Sequence, residues 1–188
     1  MELQNRSLSE ASAWLAYHQE FWTNKLDRLE AFIEEQDHDR TGPKTRKKIN
    51  ADPTRLFRAW LNAEDLSKWF LPEDAVNIQS ATLDPRPGGK FLINMVLNGK
   101  VLPHEGEYRE INEPKRLVFT WKSIATGGRD TLVTITFDSI ADPSNKKQKP
   151  QTLVTLIHER LTNEEIESHR NGWTGILNGL EIREGIKE

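Results

Sequence analysis

The chain has 188 residues, of which 36% are hydrophobic and 29% charged, a balance typical of folded globular proteins rather than disordered ones. That length allows one domain with a sizeable core and an appendage, and it is tight for two complete domains. The net charge of -3 argues against a protein that coats nucleic acid, and the absence of cysteine excludes disulfides, thiolate metal sites and cysteine nucleophiles.

Membrane and nucleic-acid partners are not expected. No apolar run reaches membrane-spanning length, and residues 1–12 lack the basic start and apolar core of a secretory signal. The basic runs Lys44–Lys48 and Lys146–Lys149 carry no interleaved aromatic side chains that would stack on bases, so we interpret them as a solvated edge strand and a solvated loop. We therefore expect a cytoplasmic protein without membrane insertion.

Residues 8–36 predict one long amphipathic helix. Ser7 and Glu10 have the spacing of a capping box, and apolar residues then recur at helical spacing as far as Ile33. Its aromatic stripe is too large to stay exposed on a monomer. The helix therefore either forms a homodimer through residues 8–36 or folds back onto its own domain. We place the domain boundary after the connector that follows it, giving 1–43 and 44–188.

Residues 44–161 predict short strands, with two short helices near the start. Asp52 and Pro53 are suited to begin the first helix, and the second covers 64–70. Hydrophobic residues then alternate with a period of two, and Asn98-Gly99 is a strong hairpin signal. This pattern indicates an antiparallel meander with one buried face.

A helix over about 163–187 ends the chain. Thr162 and Glu165 form a capping box, and apolar residues line one stripe. Gly172, Gly175 and Gly179 lie along one strip of its surface, where they either let the backbone pack closely or leave room for a ligand. The predicted fold class is α+β: a curved antiparallel sheet of about six to seven strands around this helix.

That order of elements resembles the helix-grip (SRPBCC) superfamily, which includes START lipid-transfer domains and the birch-pollen allergen. Four stretches, 58–72, 84–91, 104–121 and 169–180, are similar to bacterial homologues of the activator of the heat-shock-protein-ninety ATPase. Residues 13–35 resemble the dimerisation helix of ArsR-type regulators. The first resemblance implies a cavity between the final helix and the concave sheet, which relatives use for lipids, polyketides, hormones or toxic metabolites.

We therefore expect non-enzymatic binding of an apolar or aromatic small molecule, lipid- or polyketide-like, with no cofactor and no metal. No catalytic residue is implied. We expect the cavity to be lined by side chains at the inward positions of the alternating strands and by aromatic residues of the stretches that resemble the activator family. They are Trp69, Phe91, Ile93, Met95, Tyr108, Phe119, Trp121, His158 and Trp173.

Several alternatives stay open. Glu105 and Glu107 either face the cavity as an acid–base pair or face solvent, leaving Gly106 and Tyr108 inward, and the second arrangement suits an apolar cavity better. His104 or His158 either orients a polar group of the ligand or hydrogen-bonds a neighbour. A cyclase- or hydrolase-like enzyme with Glu107 or His158 as base, and a co-chaperone or protein-interaction module, are the competing functions.

Overall fold

The structure is a computed structural model that describes residues 42–73, 76–140 and 149–185. These residues belong to one compact unit, Thr41–Glu188. The helix expected over 8–36, its capping box, its ArsR-like resemblance and its part in dimerisation lie outside the described residues. Most of the basic loop around Lys146–Lys149 lies outside them as well.

The elements follow the predicted order of one strand, two short helices, six strands and a long helix. Strand β1 spans Lys44–Ile49, and helices α1 and α2 span Pro53–Ala59 and Ala63–Trp69. Helix α3 spans Asn163–Glu184, and a 3₁₀ turn at Ile124–Thr126 follows β5. Strands β2 to β7 span Val76–Leu83, Lys90–Leu97, Lys100–Asn112, Arg116–Trp121, Thr131–Ser139 and Thr152–Glu159.

The seven strands form one sheet in the order β1-β7-β6-β5-β4-β3-β2, and every neighbouring pair is antiparallel. Strands β2 to β7 are therefore the predicted meander, and β1 closes one edge beside the last strand. Asn98 and Gly99 join β3 to β4 with φ angles of 52° and 75°, the positive values that a tight hairpin turn requires. The predicted α+β helix-grip fold is confirmed.

The helix starts follow the local capping chemistry that the sequence indicated. The Asp52 carboxylate accepts a hydrogen bond from the Thr54 backbone N–H at 2.8 Å, and Pro53 occupies the first turn of α1. At the start of α3 the Glu165 carboxylate accepts from the Thr162 backbone N–H at 2.9 Å. These caps fix where α1 and α3 begin, and α3 in turn places its apolar stripe over the sheet.

Close contact between α3 and the end of α2 depends on two glycines. A Cβ atom at position 175 would overlap the carbonyl oxygen of Pro72, and one at position 179 would overlap that of Trp69. Gly175 and Gly179 therefore let the α3 backbone lie directly against the last residue of α2 and the segment that follows it. At these two positions the close-packing interpretation of the glycines applies.

Candidate functional site: a cavity beside the C-terminal helix

Aromatic side chains fill much of the space between α3 and the sheet. The ring centroids of Trp60 and Trp69 are 5.0 Å apart, and those of Trp121 and Trp173 are 5.1 Å apart. Phe70 joins the two pairs, with its ring 5.5 Å from Trp60 and 6.1 Å from Trp173. All five side chains are buried. The void that remains under β3, β4 and β5 measures only about 20 Å³, which is room for one water molecule.

A larger cavity, of about 190 Å³, lies beside the first half of α3. Helix α3, the sheet and two connecting segments each contribute to its wall. Most of the wall is apolar, with a few polar groups, which is the usual character of a small-molecule site. The lining residues are Pro72, Met95, His104, Trp121, Ser123, Ala125, Ser168, His169, Gly172, Trp173 and Ile176.

Gly172 differs from the other two glycines of α3. A Cβ atom at this position would meet only the Cβ of Pro72, at an ordinary contact distance of 3.7 Å. Close packing therefore does not demand a glycine here, and its missing side chain instead leaves space that belongs to the cavity. Both interpretations of the α3 glycines apply, each at different positions.

Two histidines line the cavity from opposite walls. The His104 Nδ1 lies 3.0 Å from the Leu102 carbonyl oxygen, and the ring packs on Trp121 with centroids 5.0 Å apart. Burial lowers the pKa of His104 to about 4; the hydrogen bond to the Leu102 carbonyl opposes this by raising the pKa, and the charge of His169 adds a smaller lowering. His169 is 9% exposed, and its Nδ1 lies 2.8 Å from the Glu165 carbonyl oxygen.

A third histidine, His158, is fully buried behind the cavity wall. Its Nδ1 accepts a hydrogen bond from Trp173 Nε1 at 2.9 Å, so the proton of the neutral ring is on Nε2, which lies 2.7 Å from Thr131 Oγ1. The Thr131 hydroxyl donates to the Trp121 carbonyl oxygen at 2.6 Å. Burial and the nearby His169 lower the pKa of His158 to about 3, so the ring is neutral near pH 7.

The expected cavity residues divide into three groups. Met95, Trp121 and Trp173 line the 190 Å³ cavity. Trp69 and His158 lie behind the walls, where Trp69 packs on Trp60 and Phe70 and His158 holds Trp173. The residues that line the 20 Å³ void instead are Phe91, Ile93, Tyr108 and Phe119, together with Trp121.

The carboxylate pair on β4 lies on the outer face of the sheet. Glu105 is paired with Lys122 at 2.9 Å and Glu107 with Arg109 at 2.8 Å. Tyr108 points into the core, where burial raises the pKa of its hydroxyl. The outer face carries a groove of about 520 Å³, but charged side chains form much of its wall, whereas the wall of the inner cavity is mostly apolar. We therefore place the candidate site inside.

Sequence reasoning did not select several lining residues. His169 precedes Trp173 by one helical turn, so the apolar stripe of α3 already carried the signal that it faces inward. Gly172 was considered, since the glycines of α3 were expected either to allow close packing or to leave room for a ligand, but the sequence did not tell which glycine does which. Ser123 and Ala125 lie in and beside a 3₁₀ turn whose position no sequence pattern announces.

Two further properties apply to residues 42–73, 76–140 and 149–185. Within these ranges no three His, Asp or Glu side chains come together in a way that would hold a metal ion. No helix there combines the length and the apolar character that crossing a membrane demands.

Comparison with known proteins identifies a family model and several solved structures that are similar to this chain. The model of the family described as activator of Hsp90 ATPase homolog 1-like protein (AHSA1) matches residues 50–183. Protein CV1439 from Chromobacterium violaceum is 22% identical with a TM-score of 0.63, over 78% of this chain and 99% of that one. PFC0360w, an HSP90 activator from Plasmodium falciparum, is 24% identical with a TM-score of 0.57, over 76% and 94%.

CalU16 from Micromonospora echinospora shares the same architecture, with 21% identity and a TM-score of 0.54, over 74% of this chain and 73% of that one. No curated protein matches the chain. At these identities the solved structures agree in fold, and the family model supplies the assignment. The chain therefore belongs to the activator of Hsp90 ATPase homolog 1-like family, within the helix-grip superfamily.

Proposed function

We propose that this protein is a non-enzymatic cytoplasmic binding protein for a small apolar or aromatic molecule, held in the cavity beside α3 without a cofactor. The observation that carries the proposal is the cavity itself. Its walls are largely apolar, and Gly172 leaves space where alanine would fit without a clash. Packing does not require a glycine at this position, and a glycine costs the helix about 1 kcal/mol relative to alanine. The open space that it leaves in the cavity is therefore a reason for its presence.

The size of the cavity favours a compact ligand. Small-molecule sites usually measure about 300–1,000 Å³, and this one measures about 190 Å³. A lipid or polyketide would have to displace the buried aromatic cluster of Trp60, Trp69 and Phe70. A molecule with one aromatic ring buries about 150 Å², which at about 25 cal/mol per Å² contributes about 4 kcal/mol before binding costs. We therefore expect a one-ring ligand bound with modest affinity.

Neither residue considered as a catalytic base is suitably placed for that role. Both ring nitrogens of His158 are engaged, one by Trp173 and the other by Thr131. Glu107 is on the outer face and is paired with Arg109. A base must reach the proton that it removes, and neither group lines the inner cavity. A cyclase- or hydrolase-like reaction with these bases is therefore not what we propose.

Filling the cavity tests the proposal. Gly172→Leu adds a branched side chain that would occupy much of the 190 Å³. Asn171→Leu is its matched control, because Asn171 is the adjacent residue and is exposed. We expect native mass spectrometry of protein purified from its own host to find a small molecule bound to the wild type and to Asn171→Leu. We expect Gly172→Leu to carry no bound molecule and to have the same circular dichroism spectrum as the wild type.

Two results would contradict the proposal. One is an empty wild-type protein that also binds no member of a library of one-ring compounds. The other is a Gly172→Leu variant that retains the co-purified molecule at wild-type occupancy, because the ligand would then lie elsewhere.

A second candidate is a co-chaperone or protein-interaction role. The fold shared with PFC0360w, which is described as an HSP90 activator, favours it. Ile124, beside the cavity mouth, is 69% exposed and would suit a protein contact. Adding the purified chain to the Hsp90-class ATPase of its host is the direct test. Stimulation that Ile124→Ser removes and Gly172→Leu preserves would favour the interaction role over the binding role.

A further inference from the structure

The recognition chemistry of the cavity follows from its two histidines. The Nδ1 atoms of His104 and His169 both face backbone carbonyl oxygens, those of Leu102 and Glu165. A carbonyl oxygen can only accept a hydrogen bond, so each Nδ1 carries the proton. In the neutral ring the opposite nitrogen, Nε2, then has a free lone pair and no hydrogen.

Both lone pairs are left for an occupant of the cavity. Among the described residues, neither Nε2 atom has a hydrogen-bond partner, although both rings line the cavity wall. Neither Nε2 atom is among the fully buried polar atoms that lack a partner in the described residues, so both reach the open space of the cavity. His158 provides the contrast, since both of its ring nitrogens are satisfied by side chains. The two Nε2 acceptors are therefore open to an occupant of the cavity, whereas the ring nitrogens of His158 are not.

Building on the proposed binding function, we infer that the cavity selects a one-ring molecule that carries a hydrogen-bond donor, a hydroxyl or ring N–H group that His104 Nε2 and His169 Nε2 accept. The ring of the ligand lies among Trp121, Trp173 and Ile176, whose buried side chains form the apolar part of the wall. A ligand that offers only an acceptor, such as an ether or a carboxylate, leaves both lone pairs without a partner. The site then discriminates by donor chemistry and not by shape alone.

Three probes of nearly equal size separate donor recognition from apolar burial. Phenol has a donor, anisole keeps the oxygen but lacks the donor, and toluene has neither. Calorimetric titration of the full chain at pH 8, where an ordinary imidazole is neutral, measures each affinity. We expect phenol to bind about threefold to tenfold more tightly than anisole or toluene, the range that one neutral hydrogen bond supplies. Benzoate is expected to bind more weakly than phenol.

The histidines are tested by variants that keep the ring shape. His104→Phe and His169→Phe each remove an acceptor, and the double variant is expected to lose the preference of the wild type for phenol over anisole. Asn171→Ala, at an exposed position of α3 outside the lining, is the control and is expected to keep the preference for phenol. Nitrogen NMR of the wild-type imidazoles needs no variant. Phenol should shift the Nε2 signals of His104 and His169 toward hydrogen-bonded values and leave those of His158 in place.

The outcomes separate this inference from the proposed function. Equal affinities of the wild type for phenol and anisole, or tighter binding of benzoate, would overturn donor recognition while leaving cavity binding intact. Unmoved Nε2 signals at saturating phenol would overturn it too. Absence of binding by every probe, toluene included, would overturn the binding function together with the inference.

Discussion

Replacing Gly175 by alanine is expected to lower the free energy of unfolding by about 1–3 kcal/mol, whereas Gly172→Ala is expected to raise it by up to about 1 kcal/mol. The two residues lie one helical turn apart in α3. A methyl group at position 175 would overlap the Pro72 carbonyl oxygen, and a backbone atom has little freedom to move aside. At position 172 the methyl group meets only the Pro72 Cβ at 3.7 Å, so the better helix propensity of alanine prevails.

Urea unfolding followed by circular dichroism measures both changes, and Gly172→Ala is the internal control for the effect of alanine on the helix. Gly179→Ala should behave like Gly175→Ala, because its Cβ would overlap the Trp69 carbonyl oxygen. Equal effects at positions 172 and 175 would contradict the contact pattern described here. A stabilised Gly175→Ala variant would show that α3 does not lie directly against the segment after α2.

Acid is expected to destabilise the protein through His158. Its pKa is about 3 in the folded state and 6.5 in the unfolded chain, so the unfolded chain takes up the proton first as the pH falls. The contribution of the neutral His158 ring to the free energy of unfolding is fully present above pH 6.5, and it is lost progressively as the pH falls from 6.5 to about 3. One such group reduces the free energy of unfolding by about 1 kcal/mol for each pH unit over that range. His104, with a folded pKa of about 4, acts in the same direction.

His158→Gln isolates the contribution of this ring. Glutamine retains an N–H donor for Thr131 but does not titrate, and it leaves Trp173 Nε1 without its acceptor, which costs about 1–3 kcal/mol at every pH. Urea unfolding at pH 7, 6, 5 and 4 should therefore give a lower stability for the variant at pH 7 and a shallower slope in acid. Parallel slopes for the variant and the wild type would mean that His158 is not the buried neutral group described here.

The fold was predictable because its signals are local. The alternation around Phe91 and Val133, the turn at Asn98-Gly99 and the caps at Asp52 and Thr162 each act over a few residues, and the structure follows all of them. The meander of β2 to β7 followed from this alternation and from the turns between strands, whereas the pairing of β1 with β7 joins residues about 110 positions apart and no local pattern contains it. Strand and helix boundaries agree with the sequence patterns because capping and turn chemistry fix them directly.

The cavity was less predictable, since period-two alternation separates the two faces of a strand but does not tell an apolar wall from a packed core. Phe119 and Trp121 alternate identically, yet Trp121 lines the cavity and Phe119 only the small void. Trp60 packs beside Phe119 and Phe70 packs beside Trp121, and these contacts leave only the small void there. They join residues that are distant in sequence, so no local pattern predicts them. His158 illustrates the same limit, because its partners Trp173 and Thr131 become neighbours only when the sheet and α3 assemble.

The three glycines of α3 separate, in this chain, the docking of the helix from the volume of the cavity. Gly175 and Gly179 fix the depth at which the helix docks, because a side chain at either position would overlap a backbone carbonyl oxygen. Gly172 carries no such constraint at its Cβ position, and a side chain there would take its volume from the cavity. Along one helix, the packing of the fold and the size of the cavity thus depend on separate positions, so the cavity can be resized by substitution without disturbing the contact that holds the helix in place.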